Sequence, residues 1–412
     1  MKNCLVAQSG GPTAVINASA IGVLEEALES KCYDNVYAGI NGIEGILNEN
    51  IVNLSQMPYK KLKTLKYTPS SGLGSCRYKM KDYRFSSLEY EKLFNIFKEK
   101  QIEAFFYIGG NDSMDTVRTL SEYTKLNNIN VQIIGIPKSI DNDLMETDHT
   151  PGFGSAAKFI ATTILETYLD SSVYPSKGVF ILEVMGRDTG WLTSCAALAK
   201  IGNDSVVDFI YLPETAFIKA KFLEDVRNKY KEQNQVFIVV SEGIKDENGL
   251  LLGDDIVNST HDNFGHNQLG GVCRNLKDLI LESKITSRVK TLELGVTQRS
   301  AMHCISLVDL EEAYKLGQEA VKYSCQGVTG YMLAIRRLKG DLYETETILV
   351  DPSKVANHIK YFPKSWITEG NNWVTAEAIS YITPLIQGSP VLPMKNGLPE
   401  YTTLKELIKE GL

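Results

Sequence analysis

The 412-residue sequence contains no Gly-Lys pair, so the phosphate-loop pattern GxxxxGK[ST] is excluded at once. Its seven cysteines (Cys4, Cys32, Cys76, Cys195, Cys273, Cys304 and Cys325) stand singly, without a CxxC pair. Such an odd, dispersed set is expected of reduced thiols in a cytoplasmic protein. Five histidines, His149, His261, His266, His303 and His358, show no zinc spacing, which argues against a structural zinc site. No apolar run reaches the length of a membrane span. The apolar stretch after Lys2 is too short for a signal-peptide core. Basic runs are short as well: "YKKLKTLKY" (59–67) reads as the solvated face of a helix or loop. With a net charge of −7, that argues against a nucleic-acid or anionic-membrane partner.

What is present is the composition of a globular chain, 43% hydrophobic and 23% charged, long enough for two or three domains with large cores. Short apolar runs read as strands at 4–8, 104–108, 131–136, 179–184, 206–212 and 236–241. Being apolar on both faces, they suit buried strands of a parallel sheet. Helical patterns lie between them, as in "AVINASAIGVLEEALES" (14–30) and "DSMDTVRTLSEYTKL" (112–126). This alternation predicts doubly wound α/β domains. After about Asp351 the rhythm changes, with Pro363, Pro384, Pro390 and Pro393, and the tail reads as an appended cap.

In such folds ligands gather at the carboxyl ends of strands, where loops meet helix N-termini. Six polar, glycine-containing loops fall in these places: "SGGPTA" (9–14), "SSGLGSCR" (70–77), "GGNDS" (109–113), "PKSIDND" (137–143), "MGRDTG" (185–190) and "SEG" (241–243). Together they suggest an extended site for a multiply phosphorylated ligand. "GLGSCR" begins like GxGxxG but ends in Arg77, and "GINGIEG" fails on spacing, so a dinucleotide-dependent dehydrogenase is a poor fit.

"PKSIDND" has two readings. It is either an Asx-type loop before the next helix, or a phosphoryl-transfer loop. In the second, Asp141 takes a proton from a hydroxyl and Lys138 neutralises the transferring group. Arg187, expected at a helix start, works against the macrodipole there and suits a phosphate clamp. Glu242 is either a helix cap or an acceptor for sugar hydroxyls. Trp191, Trp366, Trp373 and His303 read as packing residues.

These loops, in this order and as far as Arg337, resemble the phosphofructokinase family. The carriers are "SGGPTAVINA", "GSCRYK", "GGNDS", "PKSIDNDL", "TDHTPGFGSA", "EVMGRDTGW", "SEG", "LGVTQR" and "GVTGYMLAIRR". The resemblance implies two Rossmann-like doubly wound domains with a C-terminal extension. Expected boundaries are 1–140 for the phosphoryl donor, 141–300 for fructose 6-phosphate, and 301–412 returning to both. It implies Asp141 as the base on the sugar 1-hydroxyl. Ser139, Ile140, Met185, Gly186, Arg187 and Glu242 would also bind the sugar, Arg299 its 6-phosphate. Gly10, Gly11, Arg77, Gly110 and Ser113 would hold the donor.

Members of the family that use ATP resemble Gly-Gly-Asp-Gly-Ser and Pro-Gly-Thr-Ile-Asp at two of these loops. Members that use pyrophosphate carry an acid in place of that fourth glycine and a lysine after the proline; here these are Asp112 and Lys138. A carboxylate there occupies the place of a nucleotide α-phosphate and repels it, while pyrophosphate still fits. The resemblance therefore implies a cytoplasmic, Mg²⁺-dependent, homo-oligomeric (dimeric or tetrameric) pyrophosphate–fructose-6-phosphate phosphotransferase. An ATP-dependent enzyme and a catalytically silent sugar-phosphate-binding subunit are the alternatives. Three positions depart from the family pattern. Asn111 replaces an aspartate associated with Mg²⁺ and reads as a weakened metal ligand, as in some bacterial members of the pyrophosphate branch. Val296 replaces a histidine of the ATP-using members. Gly178 and Lys290 replace arginines that reach across a subunit interface, with Lys290 the candidate for that role here.

Overall fold

The computed structural model describes residues 2–253 and 270–411, so His261 and His266 lie outside the described residues. In chain order the strands are β1 (Asn3–Gln8), β2 (Asn35–Gly39), β3 (Ile51–Asn53), β4 (Ile102–Gly109), β5 (Gln132–Pro137) and β6 (Gly178–Val184). There follow β7 (Lys200–Ile201), β8 (Asp204–Ser205), β9 (Phe209–Tyr211), β10 (Gln235–Ser241), β11 (Val289–Glu293), β12 (Tyr331–Arg337) and β13 (Thr345–Val350). They divide between two compact units, each assembled from separated stretches of chain. The first takes Met1–Ser155, Arg299–Ile359 and Gly388–Leu412; the second takes Ala156–Gln298 and Lys360–Gln387.

The first unit carries a seven-stranded sheet in the order β13-β12-β5-β4-β1-β2-β3. Its inner pairs are parallel, and antiparallel β3 and β13 close the two edges. β1 and β4 bury successive residues on opposite faces, as runs apolar on both sides must. Val6, Phe106 and Ile134 meet the helices Ile16–Ser30 and Leu307–Cys325 through Ile16, Ala20, Leu316 and Ala320. Leu5, Phe105 and Ile133 meet Phe97 and Met114, which belong to the helices Leu88–Glu99 and Asn111–Leu126. Helices on both faces make the unit doubly wound.

The helices Ile16–Ser30 and Leu307–Cys325 approach backbone to backbone. A Cβ on Gly22 would stand 2.1 Å from the Tyr314 carbonyl oxygen, and one on Gly317 2.1 Å from that of Ser19. Their C-terminal ends lie side by side, and this overturns one expectation. Cys32 and Cys325, with Cα atoms 6.1 Å apart, form a disulfide, so not every thiol is reduced. The pairing joins residues 293 positions apart, a distance no local spacing rule spans. Cys4, Cys76, Cys195, Cys273 and Cys304 remain free.

The second unit holds a parallel sheet in the order β11-β6-β10-β9, with β7 and β8 forming a separate antiparallel hairpin. Its core joins Ile181 and Ile238 to Phe222, Val226 and Leu276. The run expected as a strand over 206–212 is extended only at β9, because Val206 and Val207 turn away into the β7–β8 hairpin region. The tail is not one cap. Residues 360–387 belong to this unit, where Phe362, Trp366 and Tyr381 surround Trp191, while 388–412 belong to the first. Among the described residues no helix is long and apolar enough to cross a membrane.

Candidate active site

In the first unit the loop after β1 is shaped by its neighbours. Gly10 N–H donates to Cys76 O at 3.1 Å, and Ser75 Oγ donates to Gly10 O at 2.6 Å, so "GSCR" packs on "SGGP". Lys138 follows β5, and its Nζ donates to Gly11 O at 2.6 Å. A Cβ on Gly10 would stand 3.3 Å from Lys138 Nζ, and one on Gly11 3.3 Å from Arg299 Nη1. Glycine thus lets two cations close on bare backbone. Lys138 is only 3% exposed. Burial pushes its pKa down to about 8; Asp143 and Asp141 oppose the shift, while Arg299 and Arg77 add to it. The structure therefore brings Gly10, Gly11, Arg77, Lys138, Asp141 and Arg299 together, with Asp143, of the same "PKSIDND" loop, beside them. Arg299, which the resemblance gives to a sugar phosphate, borders the loop expected to hold the donor.

The loop bearing Asp141 forms the turn of its first reading. Ser139 Oγ donates to Asp143 Oδ1 at 2.8 Å and accepts from Asp141 N–H at 3.2 Å. Asn142 (φ 53°) accepts from Thr150 N–H at 3.1 Å. Asn142 and Asp143 thus do the turn-forming work, leaving Asp141 half-buried in the field of Lys138. Ile140 is a buried packing residue of the same loop.

The helix Asn111–Leu126 starts from Gly110, with Asp112 in its first turn and exposed. A carboxylate is favoured there by the helix dipole, so the chain bears it at little cost to stability. Ser113 is buried and shares a hydrogen bond of 2.9 Å with Ser9. A Cβ on Gly109 would stand 1.9 Å from Ser113 Oγ, which fixes the glycine. The Asn111 amide is engaged by Val355, Asn357 and His358 of the same unit.

The second unit gathers its own set at the ends of β6 and β10. Met185 N–H donates to Gln298 Oε1 at 3.3 Å, and Gly186 N–H donates to Glu242 Oε1 at 3.3 Å. Gly186 adopts φ 133°, and Ser241 Oγ donates to its carbonyl at 2.5 Å. A Cβ on Gly243 would stand 1.9 Å from Arg187 O, so "SEG" and "MGR" need their glycines to lie together. Glu242 is followed by a turn, not a helix, which removes its capping reading. Arg187 lies four residues before the short helix Trp191–Ser194, in the loop and not at the helix start. Lys290 stands apart. It lies near the amino end of β11, opposite Phe180, exposed and 3.5 Å from Asp170.

Sequence reasoning passed over two buried acid-base groups, His149 and Asp309, and the half-buried Glu214. His149 bridges Asp148 (2.9 Å) and Glu312 (2.6 Å), and Arg337 pairs with Asp148 at 2.9 Å. Asp309 accepts from Gly152 N–H (2.8 Å) and Ser155 N–H (2.9 Å), holding the far arm of the Asp141 loop. Glu214 accepts from Gly190 and Phe362 N–H groups. The string "TDHTPGFGSA" marked the place of His149 and Asp148 but not that of Glu312.

Among the described residues, two sets of side chains bear on a metal. Glu183, Cys273 and Glu293 converge, yet a thiol is a poor ligand for a hard cation, and Arg274 already pairs with Glu293 at 3.0 Å. Asp141 and Asp143 beside Lys138 are hard oxygen donors of the kind that accompany phosphate-bound Mg²⁺. They fit the ion.

Cationic side chains over glycine loops, with carboxylates within their field, define a phosphate-handling α/β protein. The Phosphofructokinase family model matches residues 3–324, and the chain belongs to that family. It is 39% identical over 405 residues to a pyrophosphate–fructose 6-phosphate 1-phosphotransferase of Halomonas elongata, covering 98% of this chain and 96% of that one. A sulfofructose kinase of Alkalicoccus urumqiensis is 31% identical over 375 residues, covering 90% and 93%. The crystal structure of a pyrophosphate-dependent phosphofructokinase from Nitrosospira multiformis superposes with a TM-score of 0.87 at 38% identity, covering 97% and 95%.

Proposed function

We propose that the chain transfers a phosphoryl group from pyrophosphate to the 1-hydroxyl of fructose 6-phosphate, reversibly, giving fructose 1,6-bisphosphate and phosphate. The observation that carries this reading is the buried Lys138 ammonium on the Gly11 carbonyl, in a chain that also places a carboxylate, Asp112, in the donor loop. A short, multiply charged donor is served by a cation at that depth, and a nucleotide is opposed by the acid.

Asp141 takes the proton of the sugar hydroxyl as its oxygen attacks the near phosphorus of pyrophosphate. The bond to the bridging oxygen breaks, and inorganic phosphate leaves with that electron pair. Lys138 and Arg77 face the charge that grows on the phosphoryl oxygens, and Arg299 adds to the same field. Gly10, Gly11, Gly110 and Ser113 offer backbone and hydroxyl donors to the diphosphate. Mg²⁺, when bound with the donor, supplies further neutralisation, and Asp141 and Asp143 are the groups placed to accompany it. Ser139, Ile140, Met185, Gly186, Arg187 and Glu242 are assigned to the sugar phosphate. The working form is proposed to be a cytoplasmic homo-oligomer to which Lys290 contributes.

The test is turnover with pyrophosphate, with ATP and with no donor, on wild type and Asp112→Gly. Pyrophosphate should support turnover and millimolar ATP little, with ATP use rising in the variant. A wild type that prefers ATP would sink the reading.

A further inference from the structure

Asn111 opens the helix Asn111–Leu126, and its side chain is committed in three directions. Nδ2 donates to Val355 O at 3.2 Å and also to His358 O, while Oδ1 accepts from Asn357 N–H at 2.5 Å. Asn357 is left-handed (φ 63°), which turns the chain so that its N–H and the neighbouring carbonyls converge on one amide. Val355 and Pro352 are buried, but Asn357, His358 and Ile359 are exposed and have little packing to hold them. A further contact at 3.5 Å, from Asn357 Nδ2 to Asp115 Oδ1, reaches the same helix.

The chemistry of these partners selects the side chain. The Val355 carbonyl already accepts from His358 N–H at 3.1 Å; the Asn111 amide donates to it a second time, donates to His358 O and accepts from one N–H, and only a primary amide of this length offers both functions. An aspartate of the same shape would keep the acceptor but set its second oxygen against two carbonyls. That forfeits two donated bonds and adds repulsion between oxygens. The asparagine at this position is thus accounted for by the backbone it fastens, with no reference to a metal.

We infer that Asn111 is a positioning residue, an amide clamp that fixes residues 355–358 against the first turn of the helix bearing Asp112, and is not a metal ligand. The inference rests on the reading of "GGNDS" as the donor loop, and it assigns that loop a wall drawn from the C-terminal part of the chain. It also leaves carboxylates such as Asp141 and Asp143 as the protein's contribution to the metal.

Hydrogen exchange on the full-length chain, wild type and Asn111→Asp, tests this. In wild type the Asn357 amide should be protected. In the variant, exchange over residues 355–358 should quicken about 10–100-fold, the range expected when the hydrogen bonds that fasten a loop are lost. The difference from wild type should shrink as pH falls and the new carboxyl protonates, because the acid can then donate to one carbonyl. Affinity for free Mg²⁺ should not rise, and KM for the magnesium–pyrophosphate complex should increase. Tighter Mg²⁺ binding with unchanged exchange would make Asn111 a ligand and overturn the clamp. Fast exchange of Asn357 in wild type would also overturn it, without any variant. Turnover of wild type with ATP in place of pyrophosphate would overturn the donor reading, while the exchange result would still decide the clamp.

Discussion

Lys138 is pulled in two directions, by burial toward neutrality and by Asp143 and Asp141 toward charge. Its folded pKa of about 8 lies below the ordinary 10.5. A depressed lysine costs stability below pH 8, where it is buried charged. The cost is relieved as pH rises from about 8 toward 10.5, because the folded chain releases the proton first. An anionic donor works the other way by holding the proton in place. Affinity for pyrophosphate should therefore weaken above about pH 8, approaching about tenfold per pH unit. Lys138→Met should flatten that slope and lower kcat by about 10²–10³-fold. A wild-type KM for pyrophosphate that ignores pH across this range would remove Lys138 from the donor. For the base, Asp141→Asn should lower kcat by about 10²–10⁴-fold while calorimetry still detects sugar-phosphate binding. Near-normal turnover would take Asp141 out of the mechanism. Lys138 and Asp141 stand out in the sequence because both sit in one short loop after an apolar strand, although that loop alone reads as a turn and their roles come from the family resemblance. Asp143 stands in the same stretch beside Lys138, and folding makes it the first of the two carboxylates that act on the lysine.

The element that holds this loop is the helix Leu307–Cys325, and one turn of it does so twice. Asp309 accepts two backbone N–H groups at the start of the helix Phe153–Ser172, and Glu312 grips His149. Burial would lower the His149 pKa, but Glu312 and Asp148 prevail and raise it to about 9. A histidine raised above its unfolded value of about 6.5 contributes stability that is complete below that value and is lost as pH rises through about 9. Glu312→Gln leaves an imidazolium with Asp148 alone, and removing one partner of a buried pair costs about 3–5 kcal/mol. The melting temperature of this variant should fall well below wild type at pH 6, and the two should draw together at pH 10. An equal gap at both values would show that the pair matters for packing and not for charge. The alternation of strands and helices was plain in the sequence, since both periods are local. The grip of Glu312 on a histidine 163 residues away was not, because pairing across such a separation leaves no pattern in either stretch. The helix pair closed by Cys32 and Cys325 hid for the same reason.

At the scale of the whole molecule, the candidate groups lie in two units, and Lys290 belongs with neither cluster. It sits near the amino end of an edge strand, exposed, with Asp170 and the Tyr174 ring as neighbours. A cation so placed is available to another copy of the chain. Active enzyme should sediment as a dimer or larger, and Lys290→Ala should raise KM for the sugar phosphate more than it lowers kcat. Active monomers at assay concentration would leave Lys290 without a task. The expected boundary at 140 parted Lys138 from Asp141, whereas the first unit keeps both by running on to Ser155. Composition offers no mark at that point, since the break falls inside the first turn of a helix.

The threading of the first unit has a consequence during synthesis. β5 is a run of "QIIGIP" whose far neighbour, β12, is made only after the entire sheet of the second unit has been translated. At ribosomal rates of about 5–20 residues per second, the nascent sheet waits on the order of ten seconds or more with that apolar edge unpaired. A growing chain in this condition is a natural client for chaperones, and a stall before residue 331 would leave a sticky half-sheet where a finished enzyme has a sealed one.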